Sequence, residues 1–182
     1  MAALLALMVM MAGAETTRAA PFHDTSLGPY PVTPVDGQFR ESCYRMRVQL
    51  NGDQTPTATC LLKNKPKPGD ITPNIMKSAC NTTDLQLFVA SNYGGTELCF
   101  TGTGSTNLVN YWIDWPFTSW EEVVSSYKSG KWWGHFSYFA NDGDPDYGLF
   151  DHVLCPWIGS YWNDHVRYVK LVGTGSAAQT FC

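Results

Sequence analysis

The sequence predicts an all-β protein, either a sandwich or a barrel of short strands. The 182 residues are 44% hydrophobic and 14% aromatic, and aromatic and β-branched residues are enriched in strands. Beyond residue 20 there is no helix-forming run of ordinary length rich in Ala, Leu, Glu and Lys. From Leu85 onward, short apolar segments alternate with glycine-rich turns, which is typical of a sandwich or barrel.

The N-terminal segment has the pattern of a signal peptide. An apolar run at residues 2–11 precedes small residues at 12–14 and 19–20, which suit signal peptidase. The run is shorter than the ~20 residues of a membrane-spanning helix. We therefore expect residues 1–20 to be a signal peptide of a secreted, extracellular protein without a membrane span. The alternative is a disordered alanine-rich leader, because no basic residue precedes Arg18. Residues 21–42 contain four prolines and no periodicity, which predicts a linker or an extended arm.

The six cysteines indicate structural disulfides. Their even number, wide spacing and lack of a CxxC pair argue against a metal site or a redox motif. Six cysteines allow fifteen pairings, and the sequence does not decide among them. Loop closure across a hairpin and restraint of the C-terminal tail (176–182) favour Cys43–Cys60, Cys155–Cys182 and, by remainder, Cys80–Cys99.

Residues 43–82 predict a small disulfide-bound β appendage that packs on the domain after it. "CYRMRVQL" alternates apolar and polar residues, Asn51-Gly52 marks a hairpin turn, and "TPTATCLL" returns as the partner strand. The following domain, 83–175, is expected to contain one helical turn at 119–122 capped by Ser119. Its strands are predicted near 85–90, 96–101, 123–128, 133–139 and 166–172.

An internal repeat runs through this domain. The segment "FVASNYGG" has an aromatic-x4-aromatic-x-Gly pattern that "FSYFANDG" partly repeats 48 residues later. These structural hairpin positions are Phe88, Tyr93 and Gly95 in the first copy and Phe136, Asn141 and Gly143 in the second. We expect Tyr93 to pack on Phe88, and Gly95 to supply a positive φ and a close backbone approach.

A second match follows each hairpin in the same order. Aligning Trp120 with Trp162 places Glu121-Glu122 over Asn163-Asp164, and an apolar strand follows in both copies. Together these residues resemble the βγ-crystallin superfamily over 85–173, about half of the chain. They are also similar to its secreted bacterial members, which include metalloproteinase-inhibitor-like and killer-toxin-like proteins. The resemblance implies two Greek-key motifs that form one sandwich.

The resemblance also implies candidate Ca²⁺ ligands, although no cofactor is required for the fold. In the first loop they are Glu121 and Ser125, and in the second they are Asn163 and Asp164. Carboxylate, amide and hydroxyl oxygens are the ligands that Ca²⁺ prefers. Arg167, however, stands where the second loop should supply a hydroxyl, and a guanidinium repels a divalent cation.

Other functional classes have little support in the sequence. No HExxH, nucleophile elbow or GxGxxG is present, so we expect a protein that is not an enzyme. Asp151-His152 is not expected to act as a pair, because neighbours on a strand point to opposite faces. The net charge of −4, with mixed signs along the chain, gives no reason to expect nucleic acid.

The sequence thus predicts a secreted, non-enzymatic binding protein. By resemblance, the leading hypothesis is a protease inhibitor or toxin-like antagonist that presents a rigid loop at 101–120 or 143–162 to an extracellular protein target. Trp112 and Trp115 lie in an irregular segment and are the candidate binding aromatics. The alternatives are a Ca²⁺-stabilised extracellular structural or stress protein and a glycan-binding module.

Overall fold

The computed structural model describes residues 29–67, 79–114, 116–139, 147–174 and 182, and this part of the chain is all-β. Short 3-10 turns occur at Ser91–Tyr93 and Leu108–Asn110. The strands are β1 (Tyr30–Val32), β2 (Arg45–Gly52), β3 (Gln54–Leu62), β4 (Leu85–Ala90), β5 (Gly94–Asn107), β6 (Trp112–Asp114), β7 (Thr118–Ser119), β8 (Ser126–Lys128), β9 (Trp133–Ser137), β10 (Tyr147–Asp151), β11 (Leu154–Cys155) and β12 (Tyr168–Gly173).

Two sets of four antiparallel strands share one order. In the first set β5 pairs with β4, β4 with β8, and β8 with β11. In the second set β10 pairs with β9, β9 with β12, and β12 with the last residues of β5. The outer strand of each set thus belongs to the other half of the repeat. The predicted double Greek key is confirmed.

Strand β5 belongs to both sets. Its first half pairs with β4, with Phe100 opposite Leu85, and its last residues, 104–107, pair with β12. At Gly102, between the two halves, φ is +82°, and a Cβ atom would lie 2.2 Å from the carbonyl oxygen of Leu50. A side chain at this position would therefore collide with strand β2, which runs alongside.

The predicted appendage is continuous with the first set. Strand β2 runs parallel to β5 from Arg45 opposite Glu97 to Gly52 opposite Gly104, and Arg45 forms an ion pair with Glu97. Strand β3 pairs with β2 through the predicted hairpin, and β1 pairs with β3. Hence the appendage packs on the following domain mainly by extending its sheet.

Residues 29–42 pack against the fold, as the alternative of an extended arm implies, and are not a free linker. Strand β1 places Tyr30 opposite Cys60, and the amide of Phe39 donates to the carbonyl of Asn110 at 2.6 Å. Phe39 is 1% exposed, so it belongs to the core. Prolines in this segment are compatible with strand β1 because it lies at the sheet edge. Residues 21–28 and the predicted signal peptide lie outside the described residues.

The predicted helical turn at 119–122 is also wrong. Ser119 ends strand β7 and does not cap a helix, and the φ of Glu122 is +63°, which a right-handed helix excludes. Strands β10 and β11 lie in the proline- and tryptophan-rich region after 144, where no strand was predicted. Because these strands are short and their pattern is not periodic, the local sequence carries little signal for them.

The three disulfides are those that loop closure favours. The Cα atoms of Cys43–Cys60, Cys80–Cys99 and Cys155–Cys182 lie 5.8, 6.1 and 5.6 Å apart. Each closes a loop of 17 to 27 residues. By restricting the unfolded chain, each disulfide stabilises the fold by about 3 kcal/mol. Cys182 therefore ties the C-terminus to strand β11, while residues 176–181 lie outside the described residues.

Aromatic side chains fill much of the core between the two sets of strands. Tyr127 packs against Phe136 and Phe150, with ring centroids 5.1 and 6.0 Å away. Burial of such a ring contributes about 1.5–3 kcal/mol. The other buried aromatic residues in the described part of the chain are Phe39, Phe88, Phe100, Tyr111, Trp120, Trp132, Trp162 and Tyr168.

The first folded hairpin has the geometry that its pattern indicates. Tyr93 packs edge-on against Phe88 at 5.7 Å, and Lys128 Nζ lies 4.6 Å from the centre of the Tyr93 ring. The hydroxyl of Ser126 donates to the carbonyl of Ala90 at 2.7 Å and accepts from the amide of Tyr93 at 3.1 Å. In the second copy Phe136 is buried, whereas Asn141 and Gly143 lie outside the described residues.

Replacing Gly95 by alanine should destabilise the protein by about 1–3 kcal/mol. The φ of Gly95 is +80°, and a Cβ atom there would lie 2.5 Å from Cγ2 of Val89. Urea unfolding followed by tryptophan fluorescence measures the change. The matched control is Gly94→Ala, because Gly94 has a φ of −97° and its Cβ would make no contact shorter than 3.4 Å. Equal losses in both variants would contradict this role of Gly95.

A polar chain holds strand β1 and the segment after it near the appendage. The hydroxyl of Tyr30 donates to Glu41 at 2.9 Å, and Lys63 Nζ donates to the same carboxylate oxygen at 2.7 Å. The hydrogen bond from Lys63 is the main reason why the pKa of Glu41 is lowered. Burial, followed by the contacts with Glu41, raises the pKa of Tyr30 to about 12.

The contribution of this chain to stability should disappear in acid. A lowered folded-state pKa means that Glu41 stabilises the fold above its unfolded value of about 4.5 and loses that contribution as the pH falls below it. We therefore expect Glu41→Gln to lower the melting temperature at pH 7 by a degree or two, about the effect of a partly exposed ion pair. The difference should vanish near pH 3. A pH-independent difference in melting temperature would contradict the assignment.

Candidate functional site

The two copies of the repeat bring two equivalent loops together, residues 120–126 and 162–168. Trp120 and Trp162 begin the loops and are 0% and 9% exposed, and Val124 and Val166 are both fully buried. Since each Trp and each Val anchors its loop in the common core, the alignment of Trp120 with Trp162 corresponds to the three-dimensional repeat.

The loops also exchange backbone hydrogen bonds. The amide of Glu122 donates to the carbonyl of Val166, and the amide of Asp164 donates to the carbonyl of Val124, both at 3.2 Å. Glu122 and Asp164 share a left-handed conformation, with φ of +63° and +59°. This pseudo-twofold arrangement places the four predicted metal ligands at one junction.

Arg167 lies against the loop 120–126 at that junction. Its Nη2 donates to Glu122, and its Nε lies 3.5 Å from Oε1 of Glu121. The hydrogen bond to Glu122 is the largest influence on the pKa of Arg167 and raises it, so the guanidinium stays charged. A permanent cation of the chain itself therefore neutralises Glu121, the carboxylate of the first loop that the resemblance assigns to Ca²⁺, together with Glu122 beside it.

The remaining predicted ligands already have partners in the protein. The hydroxyl of Ser125 donates to the carbonyl of Val89 at 3.1 Å, and the residue is 7% exposed. Asn163 Nδ2 donates to Oδ2 of Asp164 at 2.6 Å. Ser125 thus ties its loop to the first folded hairpin. Together with Arg167, these contacts do not fit a Ca²⁺ site in the first loop.

A different group of side chains lies close enough together to share a metal ion. Within the described ranges, the group of three or more His, Cys, Asp and Glu side chains close enough to share an ion is Cys80, Glu97 and Cys99. These two cysteines form a disulfide with each other, so neither offers a thiolate. The group is therefore a structural one.

The strands β6 and β7 form a hairpin with an exposed aromatic near its tip. Trp112 lies opposite Ser119 and Asp114 opposite Thr118, and the amide of Phe117 donates to the carbonyl of Asp114 at 2.7 Å. The side chain of Phe117 is 82% exposed. Exposure of this size is unusual for a phenylalanine, and it occurs here on a turn closed by a backbone hydrogen bond.

Buried aromatic residues fix both ends of this hairpin. On one side the ring of Tyr111 stacks on Phe39 at 5.2 Å, and its hydroxyl is 2.9 Å from Oγ1 of Thr106. On the other side Trp120 is fully buried and its amide donates to the carbonyl of Tyr111 at 2.9 Å. The hairpin is therefore held rigidly against the core while Phe117 faces solvent.

The candidate aromatics Trp112 and Trp115 have different outcomes. Trp112 is partly buried at the base of the hairpin, and Trp115 lies outside the described residues. Phe117 was not singled out from the sequence. The sequence does carry a local signal for the turn, because an aromatic next to Pro116 in an irregular segment is typical of one. The exposure of Phe117, however, depends on the pairing of β6 with β7.

A second group of aromatic residues lies beside the loop junction; we call it the Tyr138 cluster. The ring of Tyr138 stacks on His165 at 5.2 Å and 18°, and it lies 5.3 Å from Phe139 and 6.3 Å from Tyr161. Arg167 lies 5.8 Å from the same ring. Phe139 and Tyr161 are 48% and 54% exposed. The cluster is partly open to solvent.

Asp151 and His152 contact each other, contrary to the expectation that neighbouring side chains diverge. His152 Nδ1 lies within hydrogen-bond reach of Oδ1 of Asp151. The φ of His152 is +45°, so the chain leaves the extended conformation and the imidazole turns back. In the described residues no third His, Cys, Asp or Glu lies close enough to share a metal with this pair.

The strand order and the paired loops define a double Greek-key fold of the βγ-crystallin type. A βγ-crystallin domain from Clostridium beijerinckii is 20% identical over 48% of this chain and 95% of that one, with a TM-score of 0.39. A clostrillin double mutant in complex with nickel is 19% identical over 50% and 98% of the two chains, with a TM-score of 0.41. No protein-family model and no curated protein matches the sequence.

Within the part of the chain that the structure describes, no helix combines the length and the apolar character that crossing a bilayer requires.

Removing the Arg167 side chain should make the junction responsive to Ca²⁺. We expect Arg167→Ser to cost about 0.2–1 kcal/mol in EDTA, because it leaves Glu121 and Glu122 uncompensated on a partly exposed surface. Millimolar CaCl₂ should then raise the melting temperature of the variant by several degrees and leave the wild type unchanged. Arg167→Lys keeps the charge and is the control. A Ca²⁺ response in the wild type equal to that of Arg167→Ser would contradict this role.

Proposed function

We propose that the protein is a secreted binding protein that inserts Phe117 into a pocket on a protein target. The observation that carries the proposal is the 82% exposure of Phe117 on a hairpin whose ends are fixed in the core. Exposed aromatic residues are typical anchors of protein interfaces. Three disulfides fit an oxidising, extracellular environment.

The energetics favour this mode of binding. Burying a phenylalanine side chain contributes about 1.5–3 kcal/mol. Little conformational entropy is lost on association, because the stack of Phe39 on Tyr111 and the buried Trp120 already order the hairpin. The hairpin is therefore preorganised, and most of the burial energy of Phe117 remains available for affinity.

An extracellular protease is the target class that we favour. A hairpin that projects one large apolar side chain suits a specificity pocket, and the sequence resembles metalloproteinase-inhibitor-like proteins. The backbone hydrogen bond from Phe117 to Asp114 closes the turn and opposes opening of the loop in a cleft. In this function the protein acts by occupying the target site and performs no chemistry. A toxin-like antagonist would use the same anchor on another target.

The Ca²⁺-stabilised structural alternative has less support. Arg167 neutralises Glu121 and Glu122, and the hydroxyl of Ser125 donates a hydrogen bond to the carbonyl of Val89. Stability in this protein can be attributed to its disulfides and aromatic core without an ion.

Replacing Phe117 by alanine should weaken inhibition by about 10- to 100-fold, which is the burial energy of the ring expressed as affinity. The measurement is the inhibition constant against a panel of extracellular metallo-, serine and cysteine proteases. Since Phe117 is outside the core, its replacement should leave the melting temperature unchanged.

Leu154→Ala is the matched control, because Leu154 is also exposed, at 67%, but lies on strand β11. This control should inhibit like the wild type. Two outcomes would overturn the proposal: no protease in the panel is inhibited at micromolar protein, or Phe117→Ala inhibits as well as the wild type.

A further inference from the structure

We propose that the Tyr138 cluster and the adjacent Asn163-Asp164 pair form a binding site for neutral glycans. This site is separate from the Phe117 hairpin, and it rests on different residues from those of the proposed inhibitory function. It combines exposed aromatic rings, a carboxylate and a side-chain amide on one short loop and the strand end beside it.

The aromatic part of the site is the Tyr138 cluster, which packs on the buried side chain of Trp162. Trp162 is 9% exposed and packs edge-on against Tyr161, with ring centroids 5.5 Å apart. Tyr138 lies 6.3 Å from Tyr161 and is stacked on His165 from the loop that follows. Tyr161 and Phe139 remain about half exposed, at 54% and 48%. A pyranose ring has one face of C–H groups that can pack on such rings.

The polar part lies one or two residues further along the same loop. The amide of Asn163 donates to the carbonyl of Gly159 at 2.9 Å and that of His165 to Trp162 at 3.0 Å, which closes the turn. Asp164 is exposed and accepts a hydrogen bond from Asn163 Nδ2 at 2.6 Å. Its carboxylate has further lone pairs that can accept from sugar hydroxyls. The left-handed φ of +59° at Asp164 sets the position of this side chain.

The charge of the surface selects among glycans. Glu121, Glu122 and Asp164 supply three carboxylates, and the guanidinium of Arg167 is already paired with the two glutamates. Sulfated or sialylated chains would meet an excess of negative charge, which disfavours them. Neutral polymers of hexose or N-acetylhexosamine meet no such repulsion. A peptide ligand is less favoured, because the exposed rings lie beside the charged Asp164, and the centre of a protein interface is usually depleted of charged residues.

Pull-down with insoluble chitin, cellulose and mannan, and with heparin–agarose as the anionic probe, tests the proposal on the full secreted protein. We expect retention on at least one neutral polymer and none on heparin. Tyr161→Ala should weaken that retention at least tenfold. The double variant that also carries Asp164→Asn should be retained more weakly than Tyr161→Ala alone. Circular dichroism melts show that each variant is folded.

Phe117→Ala is the internal control and should bind the polymer like the wild type. Tyr161→Ala should in turn inhibit proteases like the wild type, so that failure of this proposal and failure of the inhibitory function are distinguishable. Three outcomes would overturn the glycan site: no neutral polymer is retained, heparin is preferred, or Tyr161→Ala binds as well as the wild type. Loss of protease inhibition in Tyr161→Ala would assign the Tyr138 cluster to a protein partner instead.

Discussion

Strand β5 is the constraint on which the rest of the structure depends. Its fourteen residues pair with β4 on one side, with β2 on the other and with β12 at its end. The same strand contains Cys99, which is bonded to Cys80, and Glu97, which pairs with Arg45. Because one strand serves both halves of the repeat and the appendage, disturbing its position would displace the core, the sheet extension and the base of the hairpin together.

The fold keeps the symmetry of the repeat but uses its two loops differently. The backbone exchange between residues 120–126 and 162–168 is symmetric, whereas the side chains are not. In the first loop the carboxylates are neutralised by Arg167, and Ser125 holds the folded hairpin. In the second loop Asp164 stays exposed beside aromatic rings. A junction that the resemblance associates with a metal ion is thereby stabilised by an internal cation, and its open side offers an aromatic and polar surface.

Local signals were sufficient for some elements and not for others. The Asn51-Gly52 turn and the alternation around it predict β2 and β3, since both signals act between neighbours in sequence. The pattern of Phe88, Tyr93 and Gly95 similarly predicts a folded hairpin. By contrast, β1 and the burial of Phe39 depend on partners more than twenty residues away, Cys60 and Tyr111. The local pattern of a proline-rich segment does not predict pairing with such distant residues.

The sequence by itself determined the strand-rich class and the repeat, because turn residues and alternation are properties of the chain. The cysteine spacing favoured three disulfide pairs without deciding among the fifteen pairings. Only the tertiary structure decided which aromatic residues reach solvent. Trp120 and Phe117 lie three residues apart, yet one is fully buried and the other is 82% exposed. Composition does not distinguish them. The difference arises from the short pairing of β6 with β7 and from the anchoring of both hairpin ends in a core assembled from distant strands.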